Sequence, residues 1–209
     1  MFARKYCAKC MVVQSLMDKL SATNSTITQL INENDRMKTL LRFNNKKESI
    51  INIVNFKSEL FIITYNQTID FRGRIKEFEY NGYSIHSKND FRERPTIKMY
   101  CSTRYNSELD YLDGIFIDDF ICDKDNQNRG YGSIIMKTLI KYAKELNVNY
   151  ISGELSFVDI GTSENDTKHR NNRERLYHFY PKFGFVIQEK NFANGGSIKT
   201  IRLNLNDRK

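Results

Sequence analysis

The chain has 209 residues, 40% hydrophobic and 28% charged, with only two prolines; a packed core is feasible, disorder is not the default, and a long proline-rich linker is excluded. No apolar run is long enough to cross a bilayer, and the charged start, Met1 to Lys5, leads into no secretory-type apolar segment, so a reducing, cytoplasmic setting with thiols rather than disulfides is expected. The net charge of +8 is uneven: nine Lys and Arg face four Asp and Glu in residues 1–50, against 24 and 21 in the rest, so any nucleic-acid contact would belong to the front of the chain.

From Val13 the apolar positions follow heptad spacing. Val13, Leu20, Ile27, Asn34 and Leu41 take position a; Leu16, Thr23, Leu30 and Met37 take position d. An Asn at a is a device that fixes register in parallel two-stranded coils. Residues 1–45 are therefore expected to be a helical segment, which either pairs as a coiled-coil homodimer or packs as an amphipathic helix on its own core. Ser21 to Ser25 is poor in helix formers and predicts a break, with Thr26 and Gln29 as a capping box that restarts the helix. Ahead of the heptads stands Cys7-Ala8-Lys9-Cys10. One such pair supplies two ligands where a structural zinc takes four. Parallel pairing would bring four thiolates together and allow a zinc shared between two chains; the alternatives are ordinary thiols or a redox pair.

Asn44 to Glu48 reads as a linker, and residues 46–209 as the second domain. Strand-like stretches follow at 60–65, 75–80, 96–101 and 115–122, with Asn81-Gly82 as the clearest hairpin signal. Gly132 to Leu146 switches to helical spacing, with Ile135, Leu139, Tyr142 and Leu146 on one stripe. A strand returns at Val148 to Ser156. After a polar loop, Asn171 to Tyr180 is helical and stopped by Pro181. Phe185–Glu189 and Ile198–Leu205 close as strands. This order predicts an α+β fold with a mixed sheet.

Two stretches carry chemistry. The strand ending at Cys122 leads through a polar loop into Gln127-Asn128-Arg129-Gly130-Tyr131-Gly132, where a helix begins. Helix amino termini offer unpaired N–H groups and partial positive charge to a phosphate, and glycines let backbone approach a diphosphate closely. Further on, Tyr180-Pro181-Lys182-Phe183-Gly184-Phe185 ends a helix in an aromatic turn. In order, spacing and intervening strand, the two stretches resemble the Gln/Arg-x-x-Gly-x-Gly/Ala loop and the Tyr-x-x-x-Gly-Phe turn of the GNAT superfamily of N-acetyltransferases. The resemblance covers roughly residues 50–205 and leaves out residues 1–45.

That resemblance implies a mixed sheet, splayed between two central strands and flanked by helices, with acetyl-CoA in the cleft. It implies that the backbone of Arg129 to Ser133 holds the pyrophosphate, in the loop Gln127, Asn128, Arg129, Gly130, Tyr131, Gly132 and Ser133. It implies that Phe120, Ile121 and Cys122 pair with the pantetheine arm, and that Tyr180 protonates the departing sulfur. Cys122 stands where the family has an aliphatic residue and reads as buried filler rather than a nucleophile. Glu154 is the first candidate base, with Asp118 and Asp119 beside it. The expected function is acetyl transfer to a primary amine in a ternary complex. The alternative is an idle acyl-CoA-binding sensor or scaffold whose basic front segment contacts a protein or nucleic acid.

Overall fold

The computed structural model describes residues 2–44, 49–56, 59–85, 94–155, 170–191 and 197–206. The chain divides into two compact units, Met1–Glu48 and Ser49–Lys209.

The first unit contains one helix, α1 (Phe2–Asn44). The expected break at Ser21 to Ser25 does not occur. The hydroxyls of Thr23, Thr26 and Thr28 donate to the carbonyls of Lys19, Ala22 and Asn24 at 2.9, 3.1 and 2.9 Å. Each finds its acceptor one turn back inside the helix, so none competes with it. Gln29 forms no capping box either; its amide donates forward to Glu33. Val13, Leu16, Leu20, Ile27 and Leu30 are all exposed. In the heptad register Cys7 and Cys10 fall at positions b and e, not at a or d. Their side chains lie outside the described residues. No described helix is long and apolar enough to cross a membrane.

The second unit is built on one mixed sheet. Its strands are β1 (Ser49–Phe56), β2 (Glu59–Ile69), β3 (Ile75–Ile85), β4 (Ile97–Tyr105), β5 (Leu112–Cys122), β6 (Tyr150–Leu155), β7 (Val186–Asn191) and β8 (Ser197–Asn204). They lie in the order β1-β2-β3-β4-β5-β6-β8-β7. Neighbours are antiparallel except β5 and β6, which are parallel. Two parallel strands need a crossover, and here it is helix α2 (Tyr131–Glu145). A further helix, α3 (Arg170–Phe179), precedes the last two strands. This is the expected α+β class, a mixed sheet flanked by helices.

Helix α2 buries Ile135, Met136, Leu139 and Ala143 against Phe61, Ile63, Met99, Ile115 and Ile151 of the sheet. Each large aliphatic side chain so buried contributes about 1.5–3 kcal/mol. Asn81-Gly82 is not a hairpin turn but the middle of β3. Its glycine answers a close approach: a Cβ there would lie 2.5 Å from the Phe61 ring and 2.6 Å from Ile97. The β2–β3 turn is at Asp70 to Arg74, where the Asp70 carboxylate accepts the N–H groups of Arg72 and Arg74 at 2.8 and 3.0 Å.

Two irregularities of β5 position the site. Cys101 of β4 pairs with Ile117 and Tyr100 with Asp119, so Asp118 is an extra, bulged residue. On the other edge, β5 and β6 pair only from Gly114 with Tyr150 to Ile117 with Gly153. Beyond that pair, β5 stays with β4 as far as Cys122 and Ile97, while β6 stays with β8. The sheet splits between its two parallel strands.

Candidate active site

The carboxy-terminal end of β5, having left β6, borders a cleft of about 440 Å³. Asp119 to Cys122 form one side. Gln127, Asn128 and Gly130 to Ser133 form the end, and Arg175, Leu176, Phe179 and Lys182 form the facing wall. Nine of the ten residues expected to hold the cofactor line this space. The tenth, Arg129, turns its side chain to the Tyr131 hydroxyl.

The loop is held open by two left-handed residues, Asn128 (φ 61°) and Gly130 (φ 100°), a backbone type that makes anion-binding concavities. Gly130 is required twice over, by its φ and because a Cβ would lie 2.8 Å from the Phe56 ring. Gly132 is different: a Cβ would meet Phe179 and Phe120 at ordinary contact distances of 3.4 and 3.5 Å. Its bareness leaves room in the cleft rather than relieving a clash. At the start of α2 the N–H groups of Ser133 and Ile134 both turn to the Gly130 carbonyl, at 3.0 and 3.4 Å. Those of Tyr131 and Gly132 have no backbone acceptor among the described residues.

Gln127 ties the loop to both walls. Its amide N–H donates to the Cys122 carbonyl at 3.4 Å, and its carbonyl accepts from the Arg175 guanidinium. Burial pushes the Cys122 thiol up; Asp123 adds to this and Arg175 opposes it. Cys122 is half-buried and lines the cleft rather than lying wholly within the core.

Tyr180 is 5% exposed. Its ring stands edge-on to Phe179 at 5.2 Å and Phe185 at 5.6 Å. It thus lies behind Phe179, which faces the cleft. Glu154 is exposed on β6, one residue past the split, with its backbone paired to Thr200. Asp118 accepts a hydrogen bond from the Ser102 hydroxyl at 3.0 Å. Burial lifts its carboxyl above the usual value, with the Ser102 bond and Arg104 opposing and Glu77 and Asp119 assisting. Among the described residues no group of side chains suits a metal ion.

Sequence reasoning missed the cations of the facing wall, Arg175 and Lys182. The signal was there for the first: Arg175 is four residues before Phe179 on a helix, hence on the same face. Lys182 sits in a short 3-10 turn after the helix, and no periodicity marks it.

Residues 100–185 match the model of the Acetyltransferase (GNAT) family. None of the curated proteins compared matches the chain. Solved structures with a similar path include a Bacillus subtilis acetyltransferase in complex with CoA, 14% identical, covering 63% of this chain and 78% of that one, with a TM-score of 0.43. Another is a GNAT family acetyltransferase from Elizabethkingia anophelis with acetyl-CoA bound, at 15% identity, 62% and 77% coverage and a TM-score of 0.41. A third is Arabidopsis thaliana NAA60 in complex with a bisubstrate analogue, at 7% identity, 63% and 77% coverage and a TM-score of 0.45. With both sequence motifs inside the matched segment, residues 100–185 are identified as a GNAT acetyltransferase-family domain.

Proposed function

We propose that the second unit transfers an acetyl group from acetyl-CoA to a primary amine, directly and within a ternary complex. One observation carries this reading: the stretch of β5 that has left β6 is the stretch that borders the cleft at the glycine loop. A strand edge without a neighbour can take on an added strand, and an amide-bearing pantetheine arm can lie in the place of the missing one along Phe120, Ile121 and Cys122, where the Phe120 N–H now meets the Asp119 carboxylate and the Cys122 carbonyl meets the Gln127 amide. The diphosphate fits the N–H groups of Tyr131 and Gly132, the space that Gly132 leaves, and the charges of Arg175 and Lys182.

The donor supplies an acyl group activated as a thioester: transfer forms a carbon–nitrogen bond, breaks the carbon–sulfur bond, and moves one proton from nitrogen to sulfur overall. A lysine-like amine has a pKa of about 10.4, so it must lose a proton to react at neutral pH. Asp118 and Glu154, on the two strands that part, are the candidates to take it. Burial makes Asp118 a stronger base than an ordinary aspartate. Tyr180 is the candidate to deliver a proton to sulfur. The test incubates the full chain with acetyl-CoA and a panel of free-amino-terminal peptides, polyamines and aminoglycosides. Release of CoA thiol together with an acetylated product supports the reading. Failure to bind CoA removes it, and binding without transfer to any amine leaves only a binding module.

The first unit is proposed to join two chains. The support is an unbroken helix with exposed Val13, Leu16, Leu20, Ile27 and Leu30 at a and d. Pairing would bury this seam and place Asn34 against its own copy.

A further inference from the structure

A glycine loop has little of its own to hold it in shape, because glycine loses the most conformational freedom on ordering. The loop before α2 also lacks the usual remedy. Its N-cap residue is Gly130, so no side chain caps the helix. The residue between its two glycines, Tyr131, is instead 2% exposed. The Tyr131 ring lies flat on Phe61, with centroids 4.9 Å apart and planes 10° apart. Its hydroxyl donates to the Glu59 carboxylate. The same carboxylate oxygen accepts the Ser84 hydroxyl at 2.7 Å, and the Ser84 and Tyr131 oxygens are 3.0 Å apart. Ser84 is fixed in turn, its N–H donating to the Thr96 hydroxyl at 3.1 Å. The Arg129 side chain reaches the same Tyr131 hydroxyl.

We infer that Glu59 and Ser84 are positioning residues for the cofactor loop, acting through Tyr131 and touching no substrate. The carboxylate at the start of β2 and the hydroxyl near the end of β3 grip the only large side chain between Gly130 and Gly132. They thereby set where the N–H groups of Tyr131 and Gly132 point. Two hydroxyls converging on one carboxylate oxygen suit an anchor that must hold a loop without a cap. Removing the grip leaves the groups that react in place and disorders the groups that hold the diphosphate, so the loss falls on cofactor affinity. The inference rests on the acetyl-CoA reading above.

The experiment titrates CoA into the full-length wild type, Glu59→Gln, Tyr131→Phe and the double variant, and measures acetyl-CoA KM and kcat for each. Glu59→Gln should weaken CoA binding by roughly tenfold, the size of one hydrogen bond. KM should rise alike while kcat at saturating acetyl-CoA holds. Tyr131→Phe removes that bond together with the contacts to Ser84 and Arg129 and should do at least as much, and the double variant should be no worse than the worse single, because the Glu59 bond is shared. If Glu59→Gln does not fold, Ser84→Ala takes its place with the same expectation at smaller size. CoA affinity at the wild-type level in the folded Glu59 or Ser84 variant overturns the inference. So does full additivity in the double variant, or a fall in kcat with KM unchanged. A wild type that binds no CoA is a different failure and removes the acetyl-CoA reading itself.

Discussion

Asp118 and Glu154 are the first residues beyond Ile117 and Gly153, the last pair that β5 and β6 share, and so stand on opposite banks of the split sheet. Their surroundings differ. Asp118 is the bulged residue of β5 and, though exposed, takes a hydrogen bond from Ser102 and has its carboxyl lifted above the usual value by desolvation. Glu154 is exposed on a strand that runs on beside β8. The split thus leaves one acidic residue on each strand at the point where the two part.

The two carboxylates can be separated by their pH profiles. If Asp118 takes the proton, kcat/KM falls as pH drops through its raised pKa, and Asp118→Asn removes that limb along with about 10²-fold or more of the rate. Glu154→Gln then costs little. The reverse result assigns the base to Glu154. Stability gives an independent sign. A carboxyl raised in the fold contributes stability that is complete below its unfolded pKa and lost as pH rises through the folded one. Asp118→Asn should therefore gain in Tm over the wild type on going from acid to neutral pH.

Tyr180→Phe keeps the edge-on contacts with Phe179 and Phe185 and removes only the hydroxyl. Acetyl-CoA affinity should hold while kcat falls about 10²-fold, as for loss of a general acid. Tyr177→Phe, about one turn earlier on α3, should do little. Steady-state kinetics on both variants checks this, and a silent Tyr180→Phe would pass the proton to water.

The two loop glycines should respond differently. Gly130→Ala sets a Cβ against Phe56 in a left-handed conformation, and should lower stability by about 1–3 kcal/mol even without ligand. Gly132→Ala has room and should melt near the wild type. Gly132→Glu should fold yet lose the rise in Tm that CoA gives by mass action, since its side chain fills the cradle with negative charge. Thermal melts with and without CoA distinguish the three.

Light scattering should find the full chain to be a dimer, and residues 49–209 to be a folded monomer that still binds CoA. Asn34→Leu should strengthen the pairing and loosen its choice of oligomer. Metal analysis of the purified full chain tests the shared zinc, with about one zinc for each two chains expected if Cys7 and Cys10 bind it across the dimer. A monomeric full chain removes both ideas.

Local sequence reported much of this site because its motifs are local. The end of β5, the glycine loop, the stripe of α2 and the turn at Pro181 each lie within a few residues of their own signals. Asn81-Gly82 misled for a reason that no local window contains: the glycine is needed by Phe61 and Ile97, on two other strands. The grip of Glu59 and Ser84 on Tyr131 was invisible in the same way, since its members are 72 and 47 residues from Tyr131 in the chain. In α1 the helix-breaking reputation of Ser21 to Ser25 was overridden as the nearby threonine hydroxyls turned inward to the helix carbonyls.

The bulge at Asp118 shifts the phase of β5. Before it, odd-numbered residues face the core, as Ile115 and Ile117 do; after it, the even-numbered Phe120 and Cys122 do, while Ile121 is 48% exposed. Parity along this strand is therefore broken by one residue. Pairing Asp118 regularly with Tyr100, without the bulge, would send Asp119 and Ile121 inward in place of Phe120 and Cys122. A charge would then face the core, and the strand would present the wrong side chains to the cleft. The site thus depends on where β5 absorbs its extra residue as well as on the kinds of residue along it.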